Sequence, residues 1–222
     1  MSTLVVWSKV HEVETFFSSI TAKERKAYSN YWGSIAPTDY LETFERWLFA
    51  FCSVHTSWEA NVRGYEAIKP WFGWQMNSGE LKNRLVESRI GLHHNRTRFI
   101  AEFCDKFWAN PSFYYKTQEE DWTTYRNRLV KDILGLGMAK VSFGIEMIYP
   151  LEAQVTCFDT HMFQFYGLDQ VKHSNQYKAL EVHWVDKCTE VDVAPTLARA
   201  IFWDKKQQRT DSRYWTYVLE TK

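Results

Sequence analysis

Three groups of residues in this 222-residue chain have types and spacings suited to chemistry. The first is Leu134-Gly135-Leu136-Gly137-Met138-Ala139-Lys140. One amphipathic run ends at Leu134 and another begins at Met138, so two glycines two apart turn the backbone tightly between two helices. The first N–H groups of the second helix are then left without intrahelical partners and point outward, a ready site for a phosphate. The second group is the segment Val155-Thr156-Cys157-Phe158-Asp159-Thr160-His161, where an aspartate ahead of Thr-His-Met-Phe suits a helix N-cap. The third is the densest basic stretch, Arg84, Arg89, His93, His94, Arg96 and Arg98, with no acid from Ile90 to Ala101. It suits a phosphate patch, and a solvated helix face would look the same.

Composition limits what these groups can serve. Lys plus Arg and Asp plus Glu both number 27, a formal net charge of zero. There is no global electrostatic footprint for nucleic acid, so any DNA contact must come from a local patch and from backbone amides. Apolar residues make up 45% and aromatics 17%, enough to bury a sizeable core and more rings than packing demands. Cys52, Cys104, Cys157 and Cys188 are widely spaced with no C-x-x-C. They read as buried thiols in a reducing compartment, not as disulfides or zinc ligands. No run approaches about eighteen apolar residues, and the N-terminus carries no basic-then-apolar signal. A soluble, cytoplasmic protein with no membrane partner is expected. The zinc-deaminase pattern, a Walker loop and a dinucleotide fingerprint are all absent, so no metal is expected.

The elements that must position these groups follow from periodicity and caps, and they predict an all-α fold. Val5, Val6, Val10, Val13, Phe16, Phe17 and Ile20 recur at helical spacing, and Thr21-Ala22-Lys23-Glu24 has the form of a capping box opening a second helix. After a turn at Pro37-Thr38-Asp39, a long amphipathic helix runs from Tyr40 to about Cys52. A helix from Trp58 to Ile68 is stopped by Pro70, and Trp71-Phe72-Gly73-Trp74 is an aromatic loop. Ile100, Phe103, Cys104 and Phe107 form the apolar face of another helix, broken at Pro111-Ser112. Trp122 to Leu134 is the first hairpin helix, and Met138, Phe143, Met147 and Ile148 are core positions of the second. Further helices are expected from Thr160 to Gly167, Gln176 to Lys187 and Pro195 to Gln208, followed by a docked tail carrying Tyr214, Trp215, Tyr217 and Val218.

These blocks, in this order, resemble the helix-hairpin-helix (HhH-GPD) superfamily of DNA base-excision glycosylases, of endonuclease III type. The hairpin of that family reads roughly Leu-Pro-Gly-Val-Gly-x-Lys, and a loop with an essential aspartate follows, often within Val-Asp-Thr-His. Gly135-Leu136-Gly137 and Phe158-Asp159-Thr160-His161 stand in those places. Phe44 to Ser57 resembles the family helix that ends in Leu-Ser-x-Gln-x-Thr. His55 falls where the family has the polar residue that enters the gap left by a flipped base. Ser88 to Arg96, with Ile90-Gly91-Leu92 at its centre, resembles the Ile-Gly-Leu/Phe-x-x-x-Lys turn and helix. The match covers roughly residues 44–168.

The resemblance implies a two-lobed fold with the DNA and active-site cleft between the lobes. Residues 1–34 and 156–222 would form one lobe, the latter carrying the aspartate loop and the C-terminal helices. Residues 35–155 would form the helical bundle, with the hairpin at about 122–150. Asp159 becomes the essential carboxylate. Breaking an N-glycosidic bond develops an oxocarbenium-like sugar, which a carboxylate beside the ribose stabilises, and the same group orients or deprotonates the attacking water. Gly135, Leu136 and Gly137, with Ala139 and Lys140, are assigned to one DNA phosphate, often with a monovalent cation held by nearby carbonyls. His55 and Arg96 are assigned to DNA, and Trp71, Phe72, Trp74 and His161 to the pocket of a flipped base. The iron–sulfur loop of some members needs four clustered cysteines near the C-terminus, where this chain has only Cys188. No cluster and no other cofactor is expected. Bifunctional members carry a lysine two residues after the second glycine, where it attacks the sugar and forms a Schiff base. Here Ala139 holds that position and Lys140 follows it. One residue turns about 100° around a helix, so Lys140 is expected to miss the sugar unless the hairpin is shifted.

The expected function is therefore a base-flipping, monofunctional N-glycosylase acting as a monomer on a modified or damaged base in double-stranded DNA. Lys140-Val141-Ser142-Phe143 and Thr156-Cys157-Phe158-Asp159-Thr160-His161 also resemble glycosylase-like proteins of bacteriophages, which work in the host cytoplasm. Some of these are thought to transfer an amino acid or polyamine onto an activated 5-hydroxymethyl group of thymine in DNA. That transferase is the alternative, and the absent lyase lysine is compatible with it. A DNA-binding module without chemistry is the third reading, disfavoured by the presence of Asp159.

Overall fold

The structure is a computed structural model and describes residues 7–208. Among these residues every regular element is helical. The long elements are α1 (Val10–Ser18), α2 (Ala22–Ser34), α3 (Tyr40–Cys52), α4 (Trp58–Ile68), α5 (Ser78–Glu87), α6 (His93–Ala109), α7 (Trp122–Asp132), α8 (Met138–Ile148), α9 (Thr160–Phe165), α10 (Tyr177–Glu190) and α11 (Pro195–Lys206). Single 3-10 turns lie at Trp71–Gly73, Pro111–Tyr114 and Ser174–Gln176. The expected tail around Tyr214 to Val218, and the apolar positions Val5 and Val6, lie outside the described residues.

Local chemistry sets most of the boundaries. The capping box ahead of α2 is reciprocal: the Glu24 carboxylate accepts the Thr21 N–H at 2.8 Å, and the Glu24 N–H donates to the Thr21 hydroxyl at 3.1 Å. Asp39, Ser57, Asn77 and Asp121 each accept a first-turn N–H of α3, α4, α5 and α7. Pro195 opens α11, where its missing N–H costs nothing. The α7 helix stops at Asp132, two residues before the predicted Leu134, because Ile133 takes an extended conformation with ψ 93°.

The described residues fall into two compact units, one built from residues 35–149 and the other from residues up to 34 and from 150 onward. In the first unit α3 packs against α4, α6 and α8. Its sequence predicts an amphipathic helix, yet every residue from Thr43 to Cys52 except Glu45 is buried. A helix apolar nearly all round belongs at the centre of a bundle, and the unbroken run Trp47 to Cys52 has that character. Phe44, Phe103, Phe107 and Tyr114 pack ring on ring beside it. In the second unit Phe16 and Phe17 of α1 meet Trp184 of α10, and Phe158 meets Tyr166, Tyr177 and Trp184. Each such buried ring contributes on the order of 2–3 kcal/mol. All four cysteines are free thiols and buried, and burial pushes the Cys52 and Cys104 thiols up to about 12. No helix among the described residues is long and apolar enough to cross a membrane.

Candidate functional site

The hairpin is formed by α7 and α8, which pack against each other. The Ile133 N–H donates to the Leu129 carbonyl at 2.8 Å and the Leu136 N–H to the Ile133 carbonyl at 3.3 Å, closing the turn. Its two glycines have different reasons to be there. Gly135 sits at φ +87°, and a Cβ on it would run into the Phe99 ring of α6, so backbone and packing both require glycine. Gly137 has φ −81° and ψ 178°, extended backbone open to any residue, and a Cβ on it would meet nothing within 4 Å. The folded chain has no internal use for glycine at position 137. What its bare backbone provides is unobstructed approach to the first turn of α8. There the Met138 and Ala139 N–H groups have no acceptor among the described residues, while the Lys140 N–H donates to the Gly137 carbonyl at 2.9 Å. No acid occupies that turn, so the positive end of the helix is not neutralised by its own side chains.

Ala139 and Lys140 are the second and third residues of α8. The Lys140 ammonium lies 5.5 Å from the centre of the Phe143 ring, one turn along the same helix. Arg98 is exposed, with its guanidinium 4.7 Å from the centre of the Phe99 ring that covers Gly135. Arg98 thus shares with the turn one neighbour, the Phe99 ring, from a position the basic stretch contains but that motif reasoning did not single out.

Asp159 caps α9. One carboxylate oxygen, Oδ1, accepts both the His161 N–H at 2.9 Å and the Met162 N–H at 3.1 Å. The other oxygen has no hydrogen bond among the described residues, and the residue is half-buried. The cap and an open, charge-bearing oxygen thus coexist on one side chain. The chain leading to it, from Val155 to Phe158, belongs to no helix and is fully buried, so its backbone polar groups need partners. Two side chains of α10 supply them. The Tyr177 hydroxyl donates to the Thr156 carbonyl at 2.7 Å and accepts the Phe158 N–H at 3.2 Å. The Glu181 carboxylate accepts the Thr156 N–H at 2.9 Å. Sequence reasoning missed both residues. Their one signal is the spacing of four, which puts them on one face of a helix.

His161 is exposed, and its Nδ1 meets the Lys206 ammonium at 3.0 Å. An ammonium has only donors, so Nδ1 accepts and the proton of the neutral ring sits on Nε2. The ring also stands edge-on to Trp203 at 4.9 Å. His55 is exposed and left-handed at φ +46°, at the turn after α3.

Three assignments are corrected. Arg96 is not a surface phosphate ligand. It is 4% exposed, and its guanidinium donates to the carbonyls of Phe51, Val54 and Gly91. A buried cation at the C-terminal end of α3 satisfies carbonyls that the helix leaves over, and it ties the turn bearing His55 to the turn at Gly91. Trp71 and Trp74 are not free to stack a base, because both are core. Trp71 is stacked on Trp108 at 4.6 Å, and the Trp74 indole N–H donates to the Ile68 carbonyl at 2.7 Å. Phe72 remains 69% exposed, lying on the outer face of Trp71. Within the basic stretch Arg84 is engaged by Glu80 at 2.8 Å. Among the described residues no group of three or more His, Cys, Asp or Glu is placed to hold a metal ion.

No protein-family model and no curated protein sequence matches the chain. Its fold matches solved structures. The 8-oxoguanine DNA glycosylase of Thermotoga maritima superposes with a TM-score of 0.71 at 15% identity, covering 90% of this chain and 99% of that one. The 8-oxoguanine DNA glycosylase of Methanocaldococcus jannaschii gives 0.65 at 16% identity, with 91% and 90% covered. The 8-oxoguanine glycosylase/lyase of the same organism, in complex with a 15mer DNA containing 8-oxoguanine, gives 0.61 at 16% identity, with 92% and 94% covered. At such identity the likeness establishes the fold: an all-α helix-hairpin-helix glycosylase fold.

Proposed function

We propose that a chain with this fold is a monofunctional DNA N-glycosylase that removes a modified base from double-stranded DNA. The observation that carries the reading is Asp159, a half-buried carboxylate with one oxygen locked in a helix cap and the other open. The hairpin supports it, since Gly137 has no role inside the folded chain.

In this mechanism the first-turn amides of α8 and the Arg98 side chain hold one DNA phosphate, without regard to sequence. The carbonyls of Leu134, Gly135 and Leu136, which accept no hydrogen bond among the described residues, offer the oxygen ligands a monovalent cation takes. Such an ion would add positive charge beside the phosphate. As the bond between C1′ and the base breaks, its electron pair leaves with the base and positive charge develops on the sugar. The open oxygen of Asp159 stabilises that charge and takes a proton from the attacking water, whose hydroxide bonds to C1′. The departing base takes a proton from solvent and Asp159 gives its own back to solvent, so that in sum water is added across the bond between C1′ and the base. Ala139 has no amine to compete with water, and Lys140 is placed over Phe143. That arrangement supports hydrolysis without a Schiff base.

The test is nucleoside mass spectrometry on duplexes incubated with the protein. An 8-oxoguanine duplex comes first, because that is the base of the similar glycosylases, followed by a panel of other modified bases. Free base with an abasic site is the expected result. A heavier nucleoside from 5-hydroxymethylated thymine DNA would assign the transferase instead. Binding without any change in the DNA would reduce the chain to a binding module.

A further inference from the structure

We propose that Tyr177 and Glu181 are positioning residues for Asp159, setting the place of its carboxylate through the backbone that precedes it; this rests on the reading of Asp159 above. The segment from Val155 to Phe158 is buried at every residue yet belongs to no helix. Nothing in its own sequence fixes its path, because no ladder or intrahelical bond is available to it. One face of α10 holds three of the segment's backbone groups. The single Tyr177 hydroxyl bridges the Thr156 carbonyl and the Phe158 N–H, at 2.7 and 3.2 Å. One turn further, Glu181 holds the Thr156 N–H at 2.9 Å. Both side chains are themselves nearly buried, at 8% and 5% exposure.

The bridged carbonyl and N–H flank Cys157, and Asp159 follows directly. The Asp159 N–H turns back onto the Cys157 carbonyl at 3.2 Å, and its carboxylate is fixed in turn by the cap on His161 and Met162. Three backbone groups immediately before Asp159 are thus held by two side chains. Burying a carboxylate at Glu181 is costly unless it is hydrogen-bonded, and one of its acceptor oxygens is spent on this segment. Misplacing a reacting group by about 1 Å is enough to cost roughly a hundredfold in rate, so a clamp one to three residues upstream controls chemistry without touching DNA.

The experiment has two readouts on the full chain. In the first, amide hydrogen exchange of His161 and Met162 reports the Asp159 cap directly, with no need for substrate. Tyr177→Phe is expected to speed exchange of both amides at least about tenfold, while α11 amides change less than about threefold. Glu181→Gln, which keeps an oxygen for the Thr156 N–H, should stay near native, and Glu181→Met should follow Tyr177→Phe. In the second, single-turnover base release is compared with duplex affinity. Tyr177→Phe should lose about thirtyfold or more in rate with Kd changed less than about twofold. Unchanged protection of His161 and Met162 in Tyr177→Phe overturns the clamp. So does a loss of rate matched by an equal loss of α11 protection, which would mean general destabilisation. If the native protein releases no base from any duplex, the glycosylase reading fails, and the exchange readout still decides whether the clamp exists.

Discussion

The proposed function gives the two oxygens of Asp159 separate purposes, the cap and the chemistry, and substitution separates them. Asparagine caps a helix as well as aspartate does, so Asp159→Asn should keep the fold, the melting temperature and DNA affinity. Base release should fall on the order of a hundredfold or more, the equivalent of ~3–4 kcal/mol of transition-state stabilisation. A variant retaining more than half the native turnover would leave only the cap. Lys140 is tested by borohydride, which reduces a Schiff base to a stable link. The native protein should not be trapped on abasic DNA, and Lys140→Ala should change little. Ala139→Lys places an amine at the second residue of α8, where burial and the helix end favour its neutral form. That variant should gain a trappable adduct. Trapping of the native protein that disappears in Lys140→Ala would make Lys140 the nucleophile.

The hairpin as an element makes a sharper prediction through its two glycines. Gly137→Ala meets no neighbour and no positive φ, so the free protein should lose no more than about 1 kcal/mol. Affinity should fall equally for every duplex sequence, since a phosphate contact carries no base information. Gly135→Ala forces a Cβ into a left-handed backbone and against Phe99, and should instead lower stability in the absence of DNA. Next door, α7 is tied to the chain before it by Arg128, which binds Glu120 at 2.6 Å and the Phe113 and Tyr115 carbonyls. The Arg128 hydrogen bonds hold the Glu120 carboxyl below its usual range. A carboxyl lowered on folding adds stability above its unfolded value, and that stability is lost as pH falls through the folded one. Glu120→Gln should therefore flatten the acid limb of a stability-versus-pH curve below about pH 5, read by urea midpoints. The elements themselves were legible in the sequence to the extent that their signals are local. Thr21 with Glu24, Asp39 and Asp121 act within their own first turns, and α3 and α4 fall where their caps and prolines put them. What escaped was set by distant partners. Arg96 reads as surface charge until Phe51 and Val54, 45 and 42 residues away, claim it. Trp71 reads as part of a platform until Trp108, 37 residues on, stacks over it. The clamp on Thr156 comes from residues 21 and 25 further along, beyond any local pattern.

At the scale of the whole molecule, zero net charge and the proposed grip through amides predict that few counterions leave the DNA on binding. The slope of log K against log salt should correspond to about three to five phosphates. A slope typical of a strongly basic protein would show an electrostatic surface that the sequence and the hairpin do not account for. The four buried thiols have a different consequence. Cys52 and Cys104 lie in the unit of residues 35–149, and Cys157 and Cys188 lie in the other. None can react with an alkylating reagent until its surroundings open, and the first two are further silenced by thiols pushed up to about 12. Nature has thus placed a pair of internal clocks in each half of the chain. Modification rates followed by peptide mass spectrometry would time the opening of each half separately in the unmodified protein, and adding duplex DNA would show which half the nucleic acid slows.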